Sequence, residues 1–281
     1  LPFCARYRAP KMANSPTPPQ TVNLPLRPLA IAATPLSHPS TRSDPIGEPA
    51  NTVLHAYYSV LFATLGPQHW WPGRSRFEII VGAILTQNTS WKNVERAVAN
   101  LRAAKLLTPA AIRAVSSRAL AKHLRPSGYF RQKTRTLKIF AAFLFARHSG
   151  SLRRLFATPT YILRDQLLAL RGIGPETADS ILLYAGKHPV FVVDAYARRI
   201  LERHSLLSAK AAGDSRQSYE HIRSLFESQL PRDHQLLNEF HALIVHTGKL
   251  HCRKSNPLCS SCPLQCFLPL APGRQALVAA S

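Results

Sequence analysis

Four of the five cysteines, Cys252, Cys259, Cys262 and Cys266, fall within fifteen residues at the spacing C-x6-C-x2-C-x3-C. Thiolates this close in sequence can converge on one inorganic centre without ligands from elsewhere in the chain. Three chemistries compete for them. Disulfides suit small secreted scaffolds, which a chain of 281 residues is not. Zinc sites usually pair two short cysteine hairpins across a longer spacer, whereas here the first cysteine stands alone. A compact run with unequal gaps suits a cubane [4Fe–4S] cluster best, and that is the expected cofactor.

A second chemistry-bearing segment is Leu170-Arg171-Gly172-Ile173-Gly174-Pro175-Glu176-Thr177-Ala178. Gly172 and Gly174 allow a tight turn and close approach to a partner, and Pro175 can open the next helix at its first position. Amides at such a helix start can face a phosphate. A plain helix–helix turn would use the same residues. Twenty residues beyond Gly174, the apolar run Val190-Phe191-Val192-Val193 delivers Asp194 to the start of another helix. Aspartate is also a favoured N-cap, and taken alone capping is the stronger explanation.

The elements that must hold these residues read as helical. Apolar positions recurring every three to four residues predict helices over 53–65, 77–86, 91–104, 129–147, 160–170, 176–185, 195–203, 216–230 and 233–248. Thr108-Pro109 and Thr158-Pro159 each place an N-cap before a first-turn proline. The one strand-like stretch is the four-residue run 190–193. The fold class is all-α.

The chain carries 36 Lys and Arg against 14 Asp and Glu, a formal net charge of +22, and only five of the basic residues lie in 1–50. A basic globular body calls for a polyanionic partner, most often nucleic acid. No long apolar run or basic amphipathic anchor points to a membrane. Residues 1–50 are rich in Pro, Ser and Thr without periodicity and read as a disordered extension. The single methionine is Met12, so residues 1–11, with Cys4, read as an upstream over-extension. Residues 1–43 lack acids, as a transit peptide would, but their prolines spoil the amphipathic helix it needs.

A glycine hairpin, an aspartate after a short apolar run and a four-cysteine cluster, in that order on a basic all-α chain, resemble the endonuclease III superfamily of helix-hairpin-helix DNA glycosylases. The resemblance covers about residues 55–266. It implies two helical domains with a DNA cleft between them and a C-terminal iron–sulfur loop. The implied divisions are a cluster-bearing domain of 51–75 and 195–270, a hairpin domain of 76–194, and disordered ends at 1–50 and 271–281. The partner is then double-stranded DNA containing a damaged base, bound by a cytoplasmic monomer. The base is flipped out and its N-glycosidic bond cleaved. Asp194 is the implied catalytic residue. Gly172, Ile173, Gly174 and Thr177 are the implied phosphate contacts, and Cys252, Cys259, Cys262 and Cys266 the cluster ligands. Gln87 is implied to enter the gap left by the flipped base.

Three departures from endonuclease III narrow the expectation. Glu176 stands where bifunctional members carry the Schiff-base lysine, and a carboxylate cannot form an imine. The nearest lysine downstream is Lys187. Gly82 stands where the adenine-mismatch branch has its acidic residue. The last cysteine gap is three residues rather than the usual five. All three tryptophans, Trp70, Trp71 and Trp91, flank the motif containing Gln87, and indole is the best side-chain partner for a cation. They are the expected base pocket, although a bare Trp-Trp pair fits core packing equally well. Trp70-Trp71-Pro72, Leu85-Thr86-Gln87-Asn88-Thr89, Arg125-Pro126-Ser127-Gly128-Tyr129 and 172–179 look most like the bacterial 3-methyladenine glycosylase branch. That branch implies monofunctional, water-using excision of a cationic base that leaves without a general acid. Arg131 and Lys133, within 125–135, are candidate DNA-backbone contacts, with a solvated basic face as the plain alternative. An endonuclease III-like enzyme for oxidised pyrimidines, a catalytically silent iron–sulfur DNA-binding protein and a redox-sensing regulator are the other readings.

Overall fold

In the computed structural model, residues 52–71, 73–207 and 215–269 are described. The extension at 1–50, the first eleven residues and the tail at 271–281 lie outside them. The helices are α1 (Val53–Leu65), α2 (Arg76–Leu85), α3 (Trp91–Ala103), α4 (Pro109–Ala114), α5 (Ser117–Leu124), α6 (Phe130–His148), α7 (Leu152–Phe156), α8 (Thr160–Leu168), α9 (Pro175–Ser180), α10 (Ala195–Arg203), α11 (Arg216–Gln229) and α12 (His234–Leu250). Among the described residues there is no strand. No described helix is long and apolar enough to cross a membrane.

Caps set most of the boundaries. Ser75, Thr108, Ser116, Ser151 and Ser215 each accept an amide hydrogen at the start of their helix, satisfying a donor the helix itself cannot. The Thr158-Pro159 signal works differently from expectation. Pro159 is itself the cap residue, α8 begins at Thr160, and Thr158 hydrogen-bonds back to the Arg154 carbonyl.

The apolar faces meet as the periodicity requires. α1 packs on α11 and α12, α10 crosses α12, α2 lies against α3 and α6, and α4 and α5 cover α6. α12 also touches a π-helical segment, Ile181–Gly186, that continues α9. Leu54, Leu61, Ile80, Ile84, Phe140, Leu182, Phe191, Phe226, Phe240 and Leu243 are fully or almost fully removed from solvent. The α10–α12 crossing depends on Gly248, where an added Cβ would lie 2.8 Å from Tyr196 Cβ. This tight crossing fixes the helix that begins directly after Asp194.

Lys133 is a correction to the sequence reading. It is 2% exposed, and its Nζ donates to the carbonyls of Leu85 at 2.9 Å and Ser127 at 2.6 Å. Burial lowers its pKa to about 8. It ties the end of α2 to the turn before α6 rather than facing DNA.

Candidate active site

The hairpin follows α8 and turns at Gly172, whose φ of +94° is open to glycine and costly for other residues. A Cβ there would also strike the Thr136 hydroxyl. Gly174 differs from expectation. Its φ is −92° and nothing lies within 4 Å of an added Cβ, so it leaves open space rather than permitting a turn. Ile173 is a second correction. Its side chain is buried and its amide donates to the Leu170 carbonyl at 3.0 Å, closing the turn instead of facing a phosphate. Thr177 is also buried, and its Oγ1 accepts from Gln87 Nε2 at 2.9 Å. The same Nε2 donates to the Gly172 carbonyl at 2.9 Å.

Asp194 combines the two roles that its sequence position left open. Its Oδ1 caps α10 by accepting from the amides of Tyr196 at 2.9 Å and Ala197 at 2.8 Å. Its Oδ2 lies 3.6 Å from Nε2 of the buried His241. His241 Nδ1 is 2.6 Å from the Tyr184 hydroxyl. Burial lowers the pKa of His241, against the opposing pull of Asp194. Burial also raises the Tyr184 hydroxyl well above its ordinary value, and Asp194 and Glu176 add to this.

One cleft gathers most of the residues the sequence singled out: Trp70, Trp71, Trp91, Gln87, Gly174, Glu176, Thr177 and Asp194. Gly172 lines a separate groove with Arg131, Arg135 and Arg171. Trp71 is the centre of the aromatic wall. Its ring meets Trp91 edge-on at 4.9 Å, Trp70 edge-on at 5.7 Å, and Tyr184 tilted at 4.8 Å. The indole N–H of Trp91 donates to Glu95 at 2.9 Å. The ammonium of Lys249 sits 5.7 Å from the Trp70 ring centre.

Sequence reading missed Tyr184, His241, Tyr219 and Lys249, all of which line the cleft. His241 had a legible signal. It is a lone imidazole in the apolar run Phe240–Val245, where a buried polar group needs a reason.

Over residues 81–230 the sequence matches the profile of the "HhH-GPD superfamily base excision DNA repair protein" family. The chain belongs to this superfamily. A candidate DNA repair glycosylase of Methanocaldococcus jannaschii is 42% identical over 217 residues, spanning 76% of this chain and 95% of that protein. The HhH-GPD fold is shared with solved structures. H. pylori 3-methyladenine DNA glycosylase bound to 1,N6-ethenoadenine matches with a TM-score of 0.56 and 28% identity, over 70% of this chain and 95% of that one. A non-covalent endonuclease III–DNA complex matches with a TM-score of 0.65 and 22% identity, over 79% and 97% of the two chains.

The cysteine loop follows α12. Cys252 is buried, Cys259 and Cys262 are half-buried, and the three line one small cavity with Arg203 and His204. Cys266, in the next 3-10 turn, does not line it. Arg203 Nη1 donates to Cys252 Sγ at 3.2 Å, and Arg199 Nε to the Cys252 carbonyl at 2.7 Å. Burial raises the Cys262 thiol, and the nearby Cys252 and Cys259 raise it further. As the side chains stand, no three Cys, His, Asp or Glu among the described residues are close enough to share one metal ion. The donor chemistry still fits a thiolate-bound group, because the sulfurs are soft ligands and α10 supplies arginines as counter-charge.

Buried histidines give the fold an acid limit. Burial holds His241 and His188 below the ordinary 6.5. The unfolded chain therefore binds more protons than the folded one as pH falls through 6.5, and stability falls with it. The melting temperature followed by circular dichroism is expected to drop between pH 7 and pH 5.5; a flat profile would contradict the neutral, buried imidazoles.

Proposed function

We propose that this base excision DNA glycosylase hydrolyses the N-glycosidic bond of an alkylated, 3-methyladenine-like base without an accompanying lyase step. The observation that carries the reading is the convergence of Asp194 and a Trp71-centred aromatic wall on one cleft beside the hairpin. The flipped base stacks on the wall, and Gln87 fills the gap in the duplex. Its amide is held at the hairpin beside the cleft.

In the chemical step the glycosidic electron pair leaves with the base and the sugar becomes cationic. Asp194, partly buried, stabilises that charge through Oδ2 while Oδ1 remains engaged by the α10 amides. Water attacks C1′ and gives its proton to the carboxylate. A base already carrying positive charge leaves neutral, so no acid is required at Gly82. Base release from methylated duplex DNA, followed by chromatography of the freed base, tests the reading. Release of 3-methyladenine is expected; cleavage confined to oxidised pyrimidines would overturn the substrate assignment.

Glu176 cannot form an imine, which supports hydrolysis by water. Lys249 lines the same cleft and is the amine to watch. Borohydride added during turnover is expected to trap no protein–DNA adduct. An adduct that disappears in Lys249→Ala would replace the monofunctional mechanism with one using that lysine.

A [4Fe–4S] cluster held by Cys252, Cys259, Cys262 and Cys266 would stabilise the loop after α12 and present it to DNA. Arg199 and Arg203 would link it to the helix capped by Asp194. Protein expressed with ample iron and purified anaerobically is expected to be brown, with broad visible absorbance and about four irons per chain. Colourless protein with stoichiometric zinc would rule the cluster out. Cys259→Ser should lower folding yield and DNA affinity together.

A further inference from the structure

At the wall of the cleft, the extended run 190–193 has no strand partner among the described residues, yet two of its amides are held by side chains of α11. The Val193 amide donates to the Tyr219 hydroxyl at 3.3 Å, and the Phe191 amide to Glu227 Oε1 at 3.0 Å. Tyr219 in turn donates to Asp179 Oδ2 at 2.9 Å. Asp179 is fully buried on the hairpin helix α9, where Arg164 grips it with Nε at 2.6 Å and Nη2 at 3.0 Å. The same Nη2 reaches Glu220 at 2.7 Å, and Arg223 joins Glu220 to Glu227.

The direction of these bonds is fixed. The Asp179 carboxylate has only acceptors, so the single Tyr219 proton must point to it, leaving the phenol oxygen to accept from Val193. We infer that Tyr219 is a positioning residue that sets the main chain of Asp194 and couples it to the DNA-gripping hairpin through Asp179. This rests on the proposed role of Asp194 as the hydrolytic carboxylate. Asp194 is pinned on both sides, by the Tyr219 bond one residue before it and by its cap on α10 just after. Thr177, two residues before Asp179 on α9, accepts from Gln87, so the gap-filling residue joins the same chain of contacts. A phenylalanine at 219 keeps the ring and removes both bonds.

The test uses the full chain of Tyr219→Phe on methylated duplex DNA, with hydrogen exchange as a readout independent of activity. Single-turnover base release is expected to slow about tenfold while affinity for abasic duplex stays within about twofold, because the two bonds lost act through the placement of Asp194 and not through phosphate contacts. Amide exchange across 190–194 should accelerate while α1 and α12 keep their protection. An unchanged release rate in a folded variant would overturn the inference. So would release, affinity and melting temperature falling in parallel, which marks a purely structural residue. If Tyr219→Phe does not fold, Arg164→Lys opens the fork on Asp179 and keeps the charge. It should show the same split between rate and affinity, and wild-type release from it would also overturn the inference. Should the wild-type chain bind DNA but release no base, the proposed function fails, and the exchange at 190–194 still decides whether Tyr219 sets that segment.

Discussion

Asp194→Asn is expected to slow base release by about a thousandfold or more, the scale on which a preorganised charge at a developing cation acts. Affinity for abasic duplex should change by no more than about twofold, since binding rests on phosphate contacts. The substitution is unusually clean because the two carboxylate oxygens have separate tasks. Asparagine retains an oxygen to accept from the amides of Tyr196 and Ala197, so the start of α10 is preserved. Only the Oδ2 facing His241 is replaced, by an amide nitrogen that cannot stabilise a sugar cation. Single-turnover release and gel-shift affinity measured on one preparation separate the two effects. Release retained at the wild-type rate would move hydrolysis to another carboxylate, and Glu176 is the one lining the same cleft.

Asp194 also illustrates what a sequence can carry. The run 190–193 and the helix after it were legible because apolar periodicity and an N-cap are local signals. Whether the carboxylate merely caps could not be read, because that turns on which groups face its second oxygen. His241 lies 47 residues away on α12 and reaches it only through the tight crossing at Gly248. The nine helices read from periodicity match α1, α2, α3, α6, α8, α9 with its π continuation, α10, α11 and α12 within a few residues. α4, α5 and α7 were not placed as helices. They run from five to eight residues, too short for a periodicity to emerge, although Thr108-Pro109 did mark the start of α4. The under-winding at Ile181–Gly186 had no local signature either, and this segment carries Tyr184 onto Trp71.

Lys133 and Ile173 show the opposite failure, where a plausible local signal was outvoted by packing. A lysine in a run of basic residues is normally solvated, but here its long stem carries the ammonium to the carbonyls of Leu85 at the end of α2 and Ser127 in the turn before α6, which accept from it. Ile173 sits between two glycines expected to present amides outward. Its apolar side chain anchors the hairpin in the core and turns its own amide back to Leu170.

Gly82 was read as a missing acid, and the cleft gives it a second meaning that bears on substrate choice. A Cβ at Gly82 would lie 3.3 Å from the Trp71 ring, so the glycine makes room for the indole at the centre of the aromatic wall. Trp71→Ala is expected to weaken excision by about 1–3 kcal/mol, the range for losing one base-stacking partner. Trp91→Ala should cost less. Trp91 meets the wall only through Trp71, and its indole N–H is engaged with Glu95 outside the ring stack. Trp70 is the weakest candidate for a cation seat, because the Lys249 ammonium already lies near its ring. Comparing a charged and a neutral lesion distinguishes the forces involved. If the indole attracts a cationic base, Trp71→Ala should cost 3-methyladenine more than 1,N6-ethenoadenine by about 0.5–2 kcal/mol. Equal losses on both substrates would mean that the wall stacks without selecting charge. An undiminished rate in a variant that keeps its helical circular dichroism would place the base away from Trp71 and remove the physical support for the alkylated-base assignment.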